Sequence, residues 1–173
     1  MNNNNLKGSN VDEQIKKVNK KIYILEKLLE AKGYKYSDAI NKTRKNERKD
    51  FFNLKYSCGI YHFFYEENNI KYSLYLGKAS FGNDGNWYLF NRINQHFQKS
   101  QDDTLHGKLA KSYEEEIDNE GAIDILKKNN VYIQFVEIYE KDSDSMNWQE
   151  INEEIEEYEK FCIKVLNPKF TDR

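Results

Sequence analysis

Two short apolar segments separated by a polar turn constrain the fold of this chain more than any other feature. They span residues 58–65 and 70–76, and the tetrapeptide Glu-Glu-Asn-Asn lies between them. Aromatic and β-branched residues favour strands, and asparagine favours the turn that reverses the chain. The pattern therefore predicts a β-hairpin. The hairpin carries two tyrosine–glycine pairs, which are Gly59 with Tyr61 and Tyr75 with Gly77.

Hydrophobic periodicity in the residues that follow predicts helices around a third strand. The helices cover residues 87–97, about 104–117, 121–129 and about 143–166, and the strand covers residues 131–139. Pro168 ends the last helix, because proline disfavours helical geometry in the residue before it. This order predicts a small α+β fold, in which helices flank a three-stranded, mostly antiparallel sheet.

The N-terminal third forms a helical extension to that fold. Apolar residues recur every three or four positions over residues 11–31, which predicts an amphipathic helix. One such helix cannot bury its stripe alone, so the stripe must pack on the body of the protein, on a second subunit, or on both. We therefore divide the chain into residues 1–50, with an Asn-rich tail, this helix and a basic linker, and residues 51–173, the α+β domain.

Charge is unevenly distributed along the chain. Residues 1–57 carry 14 Lys and Arg against 7 Asp and Glu, whereas the remainder is net acidic and the whole chain has a formal charge of −2. A basic segment on an acidic body favours contact with a polyanion, although a solvated lysine-rich helix would give the same composition. The candidate DNA-binding residues are Lys42, Arg44, Lys45, Arg48 and Lys49.

Composition argues against several classes of protein. No segment approaches the ~20 consecutive apolar residues of a membrane span, and the N-terminus lacks the apolar core of a signal peptide. Cys58 and Cys162 are too few for a disulfide scaffold or a zinc cluster. We expect a cytoplasmic protein with two buried, reduced thiols and no membrane association.

One acidic residue lies on the apolar side of the last predicted helix. At ~100° per residue, Glu159 falls about 40° from Ile155. It thus lies inside the stripe formed by Ile155, Tyr158, Cys162 and Leu166. An inward carboxylate is costly unless it is paired or bound to a metal ion. Glu159 is therefore a candidate metal ligand, and an arginine partner is the simpler alternative.

Arg92 and His96 share one face of the predicted helix over residues 87–97, because four residues separate them. Both lie at the border between the core side of that helix and solvent. Taken alone, each of these residues is ordinary, since any helix can carry an arginine and a histidine. Their combination with the hairpin tyrosines and the inward glutamate is much more specific.

That ordered combination resembles the GIY-YIG endonuclease superfamily. It consists of Gly59-Ile60-Tyr61, Tyr75-Leu76-Gly77, Arg92 with His96, and Glu159 ahead of Pro168. The resemblance covers roughly residues 58–172. It implies that residues 51–173 are the catalytic domain of a metal-dependent endonuclease, which hydrolyses phosphodiester bonds in double-stranded DNA.

The resemblance also implies a role for each matching residue. In the family, the first tyrosine acts near the attacking water as general base or relay, and the second helps to place that water. The arginine neutralises phosphate charge, and the glutamate holds one divalent metal ion. These roles fall on Tyr61, Tyr75, Arg92 and Glu159, with His96 assisting catalysis and Gly59, Gly77 and Lys78 in support. The implied cofactor is one Mg²⁺ or Mn²⁺ ion per active site.

The size of the chain is similar to that of the compact restriction endonucleases of this superfamily, which act as homodimers. A type II restriction-like enzyme is therefore expected. A repair, homing or mobile-element nuclease of the same fold is the alternative among enzymes, and a non-cleaving nucleic-acid-binding module is the alternative outside them. The chain departs from the family pattern at Thr171, where an asparagine is frequent, and His106 weakly resembles an accessory histidine of some members.

Overall fold

A computed structural model of the 173-residue chain describes residues 5–42, 47–81, 88–113, 116–140 and 147–171, with side chains from residue 10. Four strands form one antiparallel sheet in the order β1-β4-β2-β3. The strands are β1 (Tyr34–Lys35), β2 (Ser57–Glu67), β3 (Ile70–Ala79) and β4 (Val131–Glu140). The predicted hairpin is thus formed by β2 and β3, and β3 lies at the edge of the sheet.

The sheet has one strand more than expected. Tyr34 and Lys35 pair with Ile133 and Tyr132 of β4. The sequence pattern assigned this segment to a polar linker, so the expectation of three strands was wrong. A strand of two residues is too short to show the two-residue alternation by which strands are recognised.

Six α-helices and one 3-10 helix surround the sheet within the described residues. They are α1 (Asn5–Glu30), α2 (Tyr36–Ile40), the 3-10 helix (Lys49–Tyr56), α3 (Leu89–Gln95), α4 (Leu105–Ser112), α5 (Asn119–Lys128) and α6 (Trp148–Leu166). Side chains of Thr104, Asp118 and Asn147 accept hydrogen bonds from backbone N–H groups at the starts of α4, α5 and α6. Asn167, in a left-handed conformation with φ 45°, ends α6 directly before Pro168.

Helices cover both faces of the sheet. On one face, α3, α4 and α5 pack against Tyr61, Phe63 and Tyr75. On the other face, α1 and α6 pack against Ile60 and Leu76. Successive residues of a strand point to opposite faces, so the same two strands supply both cores. Because β3 is an edge strand, side chains from the two helical layers can meet around its open edge.

The main core includes residues on both sides of position 50. Tyr36, Ala39, Phe51 and Leu54 are buried in the cluster that contains Tyr61. Cys58 and Cys162 are free thiols and both are buried, as expected. In the described part of the chain, no helix is both long and apolar enough to cross a membrane.

Helix α1 is attached to the body by its C-terminal half. Its buried residues are Ile24, Leu25 and Leu28. Lys20 lies 2.5 Å from Glu154 and Lys21 lies 2.8 Å from Glu157, so two ion pairs tie α1 to α6. Residues 10–20 are exposed. Among the described residues, none therefore covers the N-terminal half of this helix.

Candidate active site

The register of the hairpin brings the two motif tyrosines together. Tyr61 lies opposite Gly77, and Phe63 lies opposite Tyr75. The rings of Tyr61 and Tyr75 are stacked, with centroids 6.2 Å apart and planes 19° apart. The hairpin thus presents both hydroxyl groups on the same face of the sheet.

Each motif glycine permits a close approach. A Cβ atom at Gly77 would lie 2.5 Å from the Tyr61 hydroxyl oxygen and 2.6 Å from its Cζ, so Gly77 makes room for that ring. A Cβ atom at Gly59 would overlap the carbonyl oxygen of Val136. The pairing of β2 with β4 shifts register between Cys58 and Gly59, which explains this second approach.

We expect the substitution Gly77→Ala to lower the free energy of unfolding by ~1–3 kcal/mol, because the added methyl group must displace the packed Tyr61 ring. Chemical denaturation measures this change. The matched control is Gly121→Ala in α5, where the nearest atom to a new Cβ is 3.3 Å away. Equal stabilities of Gly77→Ala and the original protein would contradict the close approach of the Tyr61 ring.

His96 is held by two hydrogen bonds. Its Nδ1 accepts from the backbone N–H of Leu105, at the start of α4, at 3.1 Å. Its Nε2 lies 3.0 Å from the Tyr61 hydroxyl oxygen. Since Nδ1 is an acceptor, the neutral ring carries its proton on Nε2 and donates it to Tyr61. Tyr75 stacks beside Tyr61 and is one of the causes that raise the Tyr61 pKa.

Burial determines the protonation state of both Tyr61 and His96. It raises the pKa of the Tyr61 hydroxyl well above its usual value, and although Tyr75 adds to this rise, Arg92 opposes it. Burial lowers the pKa of the His96 imidazole well below its usual value, and the positive charge of Arg92 lowers it further. At neutral pH, Tyr61 is therefore a phenol and His96 a neutral imidazole, as the hydrogen-bond directions require.

An open cleft of about 620 Å³ lies beside the edge of β3. Tyr75 and Glu159 both line it, together with Lys160 and Lys164 of α6. Tyr75 is 8% exposed, whereas Tyr61 is fully buried. Of the two motif tyrosines, Tyr75 is thus the one that reaches the cleft.

Glu159 lies on the inner side of α6, as its helical phase predicts. Its side chain is 19% exposed, and Ile155, Tyr158 and Cys162 on the same side of the helix are buried. Burial raises the pKa of the Glu159 carboxyl above its usual value, and the charge of Lys78 opposes the rise. A carboxylate that is partly removed from water at the wall of a cleft is suited to bind a cation.

Lys78 links Glu159 to a second carboxylate. Its Nζ lies 3.0 Å from Glu156 and 3.8 Å from Glu159. Hydrogen bonds from Lys160 and Lys78 lower the pKa of Glu156 to about 2, so Glu156 is ionised. A cation that binds Glu159 can therefore displace Lys78 toward Glu156 without leaving the ammonium group unpaired.

Arg92 lies on α3, one helical turn before His96. It is half-buried, and its Nη1 donates to Gln95 Oε1 at 2.8 Å. Its charge acts on the protonation of Tyr61, His96 and Glu159. The five candidate catalytic residues therefore surround one region at the open edge of β3, although they come from both helical layers.

Thr171 supports β3 between its motif residues. The Leu76 N–H donates to Thr171 Oγ1 at 2.7 Å, and the same hydroxyl donates to the Leu76 carbonyl at 3.1 Å. The Phe170 N–H also donates to the Leu74 carbonyl at 2.8 Å. At the position where the family pattern has asparagine, threonine thus bonds the peptide groups between Tyr75 and Gly77. Sequence reasoning noted the position but missed this contact, which depends on the path of the chain after α6.

Arg48 does not take the surface role expected of it. It is 5% exposed; its Nε donates to the Ala39 carbonyl at 2.8 Å, and its Nη1 donates to Asn94 Oδ1 at 2.9 Å. These bonds fasten the segment before the 3-10 helix to α3. The assignment of Arg48 to phosphate binding was therefore wrong, because its donors already meet acceptors inside the protein.

The other basic candidates have different positions. Lys42 lies 3.6 Å from Asp50, and Lys49 is exposed. Arg44 and Lys45 lie outside the described residues. Lys42 is thus half-buried and Lys49 is on the surface, and neither residue lines the cleft.

Metal-binding potential rests on Glu159. Among the described residues, no group of three or more His, Cys, Asp or Glu side chains could hold a metal ion. His106 is buried beside the Thr104 hydroxyl, 3.1 Å from it, and its charge contributes to lowering the pKa of His96. A cation at Glu159 would therefore need most of its ligands from water and from substrate.

Comparisons with family models, with curated proteins and with solved structures found no match to this chain. The interpretation of the site therefore depends on its own geometry and on the motif residues read from the sequence.

Proposed function

We propose that this protein is a metal-dependent DNA endonuclease that hydrolyses phosphodiester bonds. The observation that carries the proposal is the convergence, at the edge of β3, of four groups. They are the hydrogen-bonded pair of Tyr61 and His96, the Tyr75 ring stacked on Tyr61, the Arg92 guanidinium and the partly buried Glu159 carboxylate. The same residues, in the same order, resemble the GIY-YIG superfamily. On that resemblance, a type II restriction-like enzyme is the specific form that we propose.

Glu159 is the residue that would hold Mg²⁺ or Mn²⁺. One carboxylate together with waters and phosphate oxygens suits Mg²⁺, which keeps several waters in protein sites. The raised pKa of Glu159 supports this fit, because burial leaves its charge incompletely stabilised within the chain. When bound, the ion would polarise the phosphate and neutralise charge that develops in the transition state.

Tyr75 and Tyr61 are the residues that we assign to the attacking water. Tyr75 lines the cleft and stacks on Tyr61, which receives a hydrogen bond from His96. To act as a base, Tyr75 first loses its own proton to solvent through the open cleft, and the phenolate then takes a proton from the attacking water and becomes neutral again. Tyr61 is buried behind it. We therefore assign the base or relay role to Tyr75 and make Tyr61 its support, the reverse of the roles implied by the resemblance.

We assign to Arg92 the neutralisation of charge on the phosphate. A guanidinium can donate two parallel hydrogen bonds to phosphate oxygens, and it keeps its charge at any working pH. Lys160 and Lys164 line the same cleft, where cations suit the DNA backbone. The cleft therefore combines one carboxylate, for a metal ion, with cations for the substrate.

Substitution Arg92→Ala is expected to slow cleavage by at least ~10²-fold, the scale of losing one strong transition-state donor. Arg92→Lys should recover part of that loss, since it keeps the charge but loses the bidentate geometry. Single-turnover cleavage of a DNA duplex at saturating protein gives both rates. Undiminished cleavage by Arg92→Ala would remove this residue from the mechanism.

The pH dependence of cleavage should lack a histidine step. Because burial holds the pKa of His96 well below its usual value, the ring is already neutral at neutral pH and should not titrate near pH 6.5. Because burial raises the pKa of Glu159 above 4.5, activity should fall on the acid side with a midpoint higher than that of an ordinary glutamate. Single-turnover rates at constant ionic strength measure the profile. A step near pH 6.5 that disappears in His96→Gln would contradict the neutral donor role.

Incubation of the protein with plasmid and Mg²⁺, followed by sequencing of the ends, tests the proposed function. Discrete ends indicate restriction-like cleavage, and scattered ends indicate a repair, homing or mobile-element type of nuclease. A mobility-shift assay without metal runs alongside. Binding without cleavage, in Mg²⁺ and in Mn²⁺, would leave the non-cleaving nucleic-acid-binding module and would overturn the nuclease proposal.

A further inference from the structure

Helix α1 carries an apolar stripe that the body of the protein leaves uncovered. Val11, Ile15 and Val18 are 55%, 52% and 50% exposed, and Ile22 and Leu29 are 40% and 37% exposed. Of the eleven large hydrophobic residues that are exposed in the described part of the chain, six lie on this helix. Apolar exposure is thus concentrated on one element rather than scattered over the surface.

The stripe and the face that packs on the body point in different directions. At ~100° per residue, the centre of the stripe lies about 115° around the helix from the direction of Lys21, Ile24 and Leu28. The ion pairs of Lys20 and Lys21 with α6 hold the helix in that orientation. The body therefore cannot cover the stripe while these contacts remain.

The spacing of the stripe is that of a coiled coil. Residues 11, 15, 18, 22, 25 and 29 alternate steps of four and three, which is the repeat of heptad positions d and a. Position a is then occupied by Ile15, Ile22 and Leu29, and position d by Val11, Val18 and Leu25, the last of which is already buried against the body. Branched isoleucine at position a is typical of two-stranded parallel coils, which prefer leucine at position d, where this helix has Val11 and Val18. The pattern continues for roughly three heptads, about 27 Å of helix.

Charges beside the stripe distinguish the two possible orientations. In a parallel pair, Lys21 at position g, which keeps Glu157 of its own chain 2.8 Å away, also has the partner's Glu26 at position e on its other side, and symmetry repeats this attraction. An antiparallel pair centred on Lys20 would place Asp12 near the partner's Glu26 and Lys21 near the partner's Lys21. Two like-charge contacts would then oppose assembly. The parallel arrangement is the one that the charges favour.

We propose that α1 joins two copies of this chain in a parallel, in-register coiled coil through the stripe of Val11, Ile15, Val18, Ile22 and Leu29. The occupant of the exposed helix face is thus a second copy of the same helix. This arrangement does not depend on the proposed nuclease activity. If that activity holds, the two clefts are related by a two-fold axis along the coil, as two cuts in a duplex require.

Sedimentation equilibrium of the full chain tests the assembly without reference to cleavage. We expect a mass about twice the 20.7 kDa of one chain at micromolar concentration. Ile15→Gln combined with Ile22→Gln should raise the dimer dissociation constant by at least ~100-fold, because each change occurs in both copies and removes buried apolar area. The folded body should be unaffected, since both residues are exposed in the single chain. The matched control, Lys16→Gln combined with Lys17→Gln, should leave the mass unchanged.

Crosslinking tests the orientation. Val18 is at position d, so Val18→Cys should form an intermolecular disulfide on mild oxidation, whereas Lys17→Cys on the outer side should not. The native thiols at Cys58 and Cys162 are buried and should not contribute. A monomeric original protein at tens of micromolar, a mass of three or more chains, or a dimer that Val18→Cys does not crosslink would each overturn the proposal.

Discussion

Glu159→Gln is expected to abolish cleavage, by ~10³-fold or more, since the change removes a charge that would support several kcal/mol of metal-assisted transition-state stabilisation. The amide keeps the size of the side chain, so affinity for DNA should remain close to that of the original protein. Single-turnover cleavage and a mobility-shift assay measure the two properties separately. Loss of binding together with loss of cleavage would point to a different role for Glu159.

The same substitution should make the protein more stable at neutral pH. Burial raises the pKa of Glu159 in the folded state above the 4.5 of an unperturbed carboxyl, so the folded protein binds this proton more tightly than the unfolded chain does. That contribution to stability is fully present below the unfolded pKa and is lost as the pH rises through the folded one. At pH 7 the ionised carboxylate therefore costs stability, and the neutral amide removes the cost. Thermal unfolding at pH 7 without metal measures the difference.

Glu156→Gln is the matched control, because Glu156 lies one turn earlier on α6 and shares Lys78 with Glu159. Its pKa is lowered to about 2 by hydrogen bonds from Lys160 and Lys78, so its ionised form favours the folded state at neutral pH. The control should therefore lower the melting temperature and keep cleavage. If Glu156→Gln abolishes cleavage while Glu159→Gln does not, the assignment of the metal ligand is wrong.

Local periodicity was sufficient to predict the elements that carry the site. The aromatic-rich strands and polar turn of the hairpin and the 3.6-residue period of α6 depend on neighbouring residues only, so the strands, the helix and the inward side of Glu159 could be read from the chain. The helix expected to start at about residue 104 starts at Leu105, with Thr104 as its cap. These features require no knowledge of distant partners.

Features that depend on distant residues were not predictable in this way. Arg48 occurs in a run of cations and resembles a surface charge, yet Asn94, 46 residues away, supplies the acceptor that makes its burial favourable. β1 exists because a two-residue segment reaches β4. Tyr75 is closer to solvent than Tyr61 because β3 is the edge strand, and the sequence pattern does not specify which strand lies at the edge.

Tyr75→Phe is expected to slow cleavage more than Tyr61→Phe does, although both should cripple the enzyme. Loss of a proton-transfer group costs ~10²–10⁴-fold, and Tyr75 is the hydroxyl at the cleft that can contact water. Tyr61→Phe leaves the His96 Nε2–H buried without its acceptor. The latter substitution should therefore also lower the free energy of unfolding by ~1–3 kcal/mol.

The comparison between the two phenylalanine variants distinguishes the chemical role from the supporting role. Single-turnover rates give the order of the two effects on cleavage, and chemical denaturation gives the order of their effects on stability. Tyr72→Phe is the control, because Tyr72 lies on the same strand and is 40% exposed. It should leave both quantities unchanged. A slower rate for Tyr61→Phe than for Tyr75→Phe, with both variants folded, would return the water-contacting role to Tyr61. It would also mean that the cleft opens toward the inner tyrosine when DNA is bound.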